Sequence, residues 1–234
     1  MGRLILNPQE KALNYLNCKK KYSSVKNFFS SLNDSVNYTI IKGEPLSFYC
    51  FNQLGSRYSS DIDILVAPDD ILSVKKILIE NEFLPSSVFY QQAQQRLKRV
   101  FYSTSTHQLE PYIFSKSPMN IEVDVNFDLF WAEHSGEKID IKEFISDARV
   151  MSLYGVECKV LTPIKTFLQL CLHHYKDMNS LFLLSTSNTI NSEKYYEIYT
   201  LLVNNTKDFS PKKVKIESIK YNILPYIYYI LFYT

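Results

Sequence analysis

Residues 61–66 read Asp-Ile-Asp-Ile-Leu-Val, acidic and apolar by turns and then wholly apolar. That pattern predicts a strand buried for most of its length inside a sheet. Side chains at i and i+2 of a strand share a face, so Asp61 and Asp63 project together. Two neighbouring carboxylates repel unless a cation or a proton relieves them. A hard divalent ion, Mg2+ or Mn2+, takes oxygen ligands and keeps positions open for substrate phosphates. A third carboxylate on a neighbouring strand would complete a two-metal site. Residues 121–127 alternate Ile121, Val123, Val125 and Phe127 with Glu122, Asp124 and Asn126. This predicts the neighbouring strand and makes Asp124 the third candidate. Glu122 shares its strand face and stays open as the alternative.

The rest of the chain supplies a sheet with helices around it. Pro8 to Leu32 read as one helix, with an apolar stripe of Leu13, Leu16, Val25 and Phe29 and with Lys19, Lys20 and Lys21 solvated. Tyr38 to Ile41 form a short β-branched strand that ends at Lys42-Gly43. Glu44 to Gln53 follow as a helix, with Pro45 in its first turn. Leu54 to Ser60 are a polar loop carrying Ser56 and Arg57. Asp69 or Asp70 is placed to cap a helix that reaches about Asn81, with Ile71, Val74, Ile77 and Leu78 on one face.

Residues 85–108 have no clear period. Within them Gln91 to Arg99 is either a solvated basic face or a contact for an anionic acceptor, and Val100-Phe101-Tyr102 is a candidate strand. Tyr112 to Phe114 is a further strand.

From about Ile141 the pattern turns helical. The clearest stretches are Ile164–Tyr175 behind Thr162-Pro163, Tyr195–Val203, and the apolar stretch Tyr221–Thr234, with Ser185–Ser192 a polar connector. The last stretch is too short for a membrane span, which needs about 20 residues. It reads as a packed terminal helix or as an interfacial or partner-binding one. The expected class is α+β (mixed α/β). The chain divides into an N-terminal helical segment (1–34), a catalytic domain (35–140) and a mainly helical C-terminal region (141–234).

Composition narrows the function. The 234 residues are 46% hydrophobic and 15% aromatic with a formal net charge of +2, which excludes a disordered chain. So small a charge also makes a long nucleic-acid track a poor fit. Cys18, Cys50, Cys158 and Cys171 form no CxxC pair. With no export signal at Met1–Leu13, free thiols lead us to expect a cytoplasmic protein. No phosphate-binding GxxxxGK[ST] loop, GxSxG elbow or HExxH pair occurs.

The ordered motifs resemble those of the uncharacterised nucleotidyltransferase family of the DNA polymerase beta superfamily. The match runs through Ile40-Ile41-Lys42-Gly43, the loop Arg57, Asp61-Ile62-Asp63-Ile64-Leu65-Val66 and Val123-Asp124-Val125. The leucine-rich helix ending at His173-His174 is similar to the family's helix ending in histidine. The chain departs from the pattern at Asn126-Phe127, where the family often has a His-aromatic pair, with Trp131 further on. It departs again at Glu197, where the family often has Asp.

The resemblance implies transfer of a nucleoside monophosphate from an NTP to a hydroxyl on a small molecule, a peptide or protein, or an RNA end. Asp61 and Asp63 would hold the metal that bridges the phosphates. Asp124 would help to hold the second metal and orient or deprotonate the acceptor. Lys42, Gly43, Ser56 and Arg57 would contact the nucleotide. Lys42 is open to a structural ion pair instead, and Arg57 to neutralising the aspartates. The alternative is an inactive binding module on the same fold or a toxin–antitoxin component, with a protein or peptide partner.

Overall fold

The structure is a computed structural model that describes residues 6–89, 107–115, 120–130, 138–179 and 192–234. Gln91–Arg99, Val100–Tyr102, Trp131 and most of the 185–192 connector lie outside them.

Helix α1 (Pro8–Ser24) starts with a capping box: Asn7 Oδ1 accepts from the Gln9 and Glu10 amides, and the Glu10 carboxylate accepts from the Asn7 amide. The single helix expected over 8–32 breaks at Val25, and α2 (Lys26–Ser35) follows. The expected stripe fails on α1, where Leu13 and Leu16 are 62% and 54% exposed. The buried positions are Asn14, Cys18, Lys21 and Tyr22. This stripe is partly polar because α1 lies against the loop before Asp61, whose carbonyls need donors. Asn14 Nδ2 donates to the Gly55 and Arg57 carbonyls at 2.9 and 2.8 Å. Lys21 Nζ donates to those of Ser59 and Asp61 at 2.9 and 3.3 Å. Lys21 therefore leaves the solvated triplet, and only Lys19 and Lys20 are exposed.

Strand β1 (Tyr38–Ile40) leads to α3 (Glu44–Phe51), and β2 (Ile62–Val66) to a 3-10 turn at Pro68–Asp70 and α4 (Ile71–Glu80). Neither aspartate caps α4 through its side chain, since Asp69 instead pairs with Lys142 at 2.7 Å. Next come β3 (Phe83–Pro85), β4 (Tyr112–Phe114), β5 (Ile121–Asn126) and the short α5 (Ile141–Phe144).

The helical reading from residue 141 is corrected over 149–160. There β6 (Arg149–Leu153) and β7 (Val156–Val160) form a hairpin. Its two turn residues, Tyr154 and Gly155, both have positive φ (55° and 83°), the geometry that matches strand twist. Helices α6 (Pro163–Asn179), α7 (Ser192–Asn204), α8 (Pro211–Lys220) and α9 (Leu224–Tyr233) complete the chain. No described helix is long and apolar enough to cross a membrane.

Among the described residues seven strands make one mixed sheet in the order β3-β4-β5-β2-β1-β7-β6. Central β2 runs antiparallel to β1 and parallel to β5. Period 2 sorts its side chains. Ile62, Ile64 and Val66 join a core with α2 and α4, including Phe28, Phe29 and Leu78. Leu65 joins a second core with α3, α6, α7 and α9, including Cys50, Phe167, Leu201 and Ile230. Asp63 alternates with Ile62 and Ile64 and so faces the second, helical side. The terminal helix is packed there through Ile227 and Ile230. Buried Lys165 of α6 ties the end of α5 to the approach to α9, donating to the Phe144 carbonyl (2.7 Å) and the Tyr221 hydroxyl (2.8 Å).

Lys21→Met should cost about 2–3 kcal/mol in urea unfolding, because two part-buried carbonyls lose a charged donor. The exposed neighbour Lys20→Met should stay within about 0.5 kcal/mol of the parent. Equal effects would remove Lys21 as the fastener of the loop.

Candidate functional site

The β2–β5 pairing sets Asp63 directly opposite Asp124. Parallel neighbours lie about 4.8 Å apart, so backbone hydrogen bonding alone brings the two carboxylates onto adjacent strands and one face. Asp61 stands just before β2, held by its own carbonyl, which accepts from Lys21 Nζ and Ser59 Oγ (3.1 Å). Asp61, Asp63 and Asp124 line one cavity of about 130 Å³ at the sheet–α6 junction. Lys42 lines it too, at the end of β1, with Nζ 3.0 Å from Asp63 Oδ1.

Charge has shaped this cavity. Burial, then the carboxylates of Asp63, Asp61 and Glu122, raise the Asp124 carboxyl to about 7, and Lys42 opposes them. Burial alone would lower the Lys42 ammonium, but Asp63, with Asp61 and Asp124, more than offsets it and holds it above the ordinary lysine value. Asp124 Oδ1 is buried and has no hydrogen-bond partner among the described residues.

Other polar groups close the cavity. Asn126 lines it and donates from Nδ2 to the Ile64 carbonyl at 3.3 Å, fastening β5 to β2. Asp128 also lines it, its Oδ1 accepting from the amides of Leu129 (2.6 Å) and Phe130 (3.0 Å). The segment at 107–109 runs beside β5, with the Leu109 amide donating to the Val125 carbonyl, and brings in His107 and Gln108. Burial, followed by Lys176, lowers His107 to about 3, so its ring is neutral at physiological pH. From α6 come Gln169, His173 and Lys176. Burial, then Lys42, lowers His173 well below the ordinary value. Burial, again followed by Lys42, lowers the Lys176 ammonium to about 7. His174 points elsewhere, is buried near Tyr195, and is lowered to about 3 chiefly by burial.

The other residues singled out from sequence lie outside this lining. Gly43 starts α3 with φ 70°, and a Cβ there would come 3.1 Å from Ser59 Oγ. Ser56 is buried, its amide donating to Ser47 Oγ and its hydroxyl to Gln53 Oε1. Arg57 does not neutralise the aspartates by contact; it pairs with buried Glu197 of α7. His107, Gln169 and Lys176 were not singled out. For the last two a signal exists: 169, 173 and 176 fall on one helical face and are polar within an otherwise buried helix.

Among the described residues, no group of three or more His, Cys, Asp or Glu side chains is arranged to hold a metal ion. The donor chemistry still fits a hard divalent cation. The oxygens are carboxylates from adjacent strands, one of them is buried without a partner, and Lys42 already supplies positive charge at Asp63.

Three solved structures share features with the chain. One is an antigenic nucleotidyltransferase-like protein from Paracoccidioides brasiliensis, 13% identical over 86% of this chain and 78% of that one, with a TM-score of 0.37. The second is ANT(2″)-Ia in complex with adenylyl-2″-tobramycin, 8% identical over 86% and 97%, with a TM-score of 0.44. The third is a solution structure of the antibiotic-resistance factor ANT(2″)-Ia, 9% identical over 91% and 98%, with a TM-score of 0.46. Likenesses this distant say nothing of what this chain acts on. No curated protein matches the sequence. The family described as uncharacterised nucleotidyltransferase matches residues 13–234, almost the whole chain, and the protein belongs to that family.

Proposed function

We propose that the chain transfers a nucleoside monophosphate from an NTP to a hydroxyl acceptor, with Mg2+ or Mn2+ as the metal. One observation carries this reading: Asp63 and Asp124 stand opposite each other and share a cavity with Asp61, in a member of a nucleotidyltransferase family. Asp61 and Asp63 would hold one cation, and Asp124 would contribute to a second. Cations held there supply the positive charge that stabilises the transferred phosphoryl group and the departing pyrophosphate.

The chain's own groups do the rest. The acceptor oxygen forms a bond to the α-phosphorus as the bond to pyrophosphate breaks. Asp124, opposite Asp63 on the neighbouring strand and with a buried Oδ1 free of hydrogen-bond partners among the described residues, is placed to orient the acceptor hydroxyl and take its proton. Lys42 exchanges Asp63 for a phosphate oxygen when nucleotide arrives. Nucleotide contact by Gly43, Ser56 and Arg57 belongs to the same proposal, and for Arg57 it requires release of Glu197. The acceptor is a small molecule, a peptide or protein, or an RNA end.

A second reading, an inactive binding module on this fold, draws support from the Lys42–Asp63 ion pair, which already neutralises one aspartate. Asp63→Asn separates the two. Metal stabilisation is worth several kcal/mol, so loss of about 4 kcal/mol lowers kcat/KM on the order of a thousandfold. Pyrophosphate release from each NTP, with a panel of hydroxyl acceptors, should fall by that much in a variant that keeps its circular dichroism. Full metal-dependent transfer in Asp63→Asn would remove the metal assignment.

The Asp124 carboxyl also makes stability depend on pH. Its value is raised on folding, so the native chain keeps a proton there that the unfolded chain gives up at the ordinary carboxylate value. Stability is then full below that value and falls as pH rises toward 7. Asp124→Asn should flatten this decline in urea unfolding. In metal-free buffer the variant should exceed the parent by about 1–4 kcal/mol at pH 7.5 and match it near pH 4. Parallel curves would show that the native carboxyl is not raised.

A further inference from the structure

Helix α9 gives only part of its apolar surface to the core. Ile227 and Ile230 are buried, while Tyr228 and Phe232, one turn apart on its outer face, are 71% and 73% exposed. Beside them opens an apolar cavity of about 740 Å³, walled by Phe167 of α6, Phe209, Val214 of α8, and Tyr228 and Leu231 of α9. Lys215 of α8 is the one charged side chain among its described lining residues. It belongs to a basic stretch, since residues 207–220 hold five lysines against Asp208 and Glu217. Lys220 is paired with Glu143 at 2.8 Å. Lys212, Lys213 and Lys215 are exposed and have no ion pair among the described residues. Lys212 and Lys215 share a face of α8, which the exposed Ile216 and Ile219 continue.

Large apolar side chains left in water beside unpaired lysines mark an interaction surface. Two features favour a lipid surface over a protein. The cavity walls carry few side-chain hydrogen-bonding groups, and one of them, the Ser210 hydroxyl, already accepts from the Lys213 amide at 3.1 Å. Little there would fix the register of a peptide, whereas an acyl chain needs no such partners. The unpaired lysines also complement anionic headgroups, and aromatic side chains suit the boundary between headgroups and acyl chains. We propose that α8 and α9 dock on an anionic lipid bilayer, with Tyr228 and Phe232 at that boundary, Lys212 and Lys215 on the headgroups, and the cavity open to an acyl chain. Phe167 lines this cavity and Gln169 the aspartate cavity, and two residues turn a helix by about 200°. Docking through this face leaves the aspartates on the other side of α6.

The test is co-sedimentation of the full chain with vesicles of equimolar phosphatidylcholine and phosphatidylglycerol, and with vesicles of phosphatidylcholine alone. Wild type should bind the mixed vesicles at least fivefold more tightly, and raising NaCl from about 0.1 M to about 0.5 M should weaken that binding as the charges are screened. A lysine near an anionic surface is worth roughly fivefold in affinity, so Lys212→Glu/Lys215→Glu should weaken binding at least tenfold. Tyr228→Ser/Phe232→Ser should do the same by removing apolar contact. Lys19→Glu/Lys20→Glu, which changes net charge equally on α1, should stay within about twofold of wild type.

Wild type that binds neither vesicle, or both equally, would overturn the proposal. A folded Lys212→Glu/Lys215→Glu chain that binds like wild type would do so too. Wild type that ignores vesicles but sediments alone as a dimer, which Tyr228→Ser/Phe232→Ser dissociates, would overturn it and give the face to a second copy of the chain.

Discussion

Two carboxylates held side by side by a parallel strand pairing are the constraint around which this protein is built. The Asp63–Asp124 register follows from β2–β5 hydrogen bonding and cannot relax without unpairing the sheet. Two unit charges about 5 Å apart repel by about 3 kcal/mol at an effective dielectric constant near 20. The fold answers locally: Lys42 meets Asp63, and Asp124 holds its proton more tightly than an ordinary carboxyl. Both answers are reversible. A bound cation would displace the lysine and the proton together, so an arrangement costly to the empty chain is suited to a charged ligand.

The surrounding structure serves that constraint from both sides of the sheet. Helix α1 spends its buried face on polar groups, and Asn14 and Lys21 hold the loop carbonyls that fix the approach to Asp61. Glu44 at the start of α3 takes the Gly55 amide (2.8 Å) and the Tyr154 hydroxyl (2.7 Å), joining that loop to the β6–β7 turn. Gly55 has no freedom to change here: φ is 75°, and a Cβ would come 2.8 Å from the Tyr15 backbone. On the other side, Arg57–Glu197 joins the loop to α7. The Asn205 side chain donates to the Tyr49 carbonyl, joining the end of α7 to α3. The cavity is therefore bounded by segments fastened to one another rather than by independent loops.

Much of this was legible in the sequence because it depends on short periods. The i, i+2 rule puts Asp61 and Asp63 on one face, the alternation over 121–127 marks the strand that carries Asp124, and the helical period marks α4 and α6. The hairpin over 149–160 was not legible. Its outer strand is an edge with most side chains exposed, so it lacks the alternation that betrays a half-buried strand. Its Tyr154-Gly155 turn is not one of the Asn-Gly or Asp-Gly pairs that signal a hairpin. The partly polar stripe of α1 was missed for a related reason, since hydrophobic periodicity assumes an apolar partner and this helix packs on carbonyls. Spacing alone puts Gln169, His173 and Lys176 on one face of α6. Only the packing of α6 against the sheet shows that they look across at aspartates.

Thermal unfolding with each of the four NTPs, with and without Mg2+, tests the central claim most directly. Ligand at about 100 times its Kd stabilises by about 2.7 kcal/mol, and about 2–4 °C accompanies each kcal/mol in a chain of this size. The account predicts a rise of several degrees that needs nucleotide and Mg2+ together and vanishes in Asp61→Ala/Asp63→Ala. A well-folded wild-type chain whose melting temperature ignores all four NTPs in Mg2+ would contradict it.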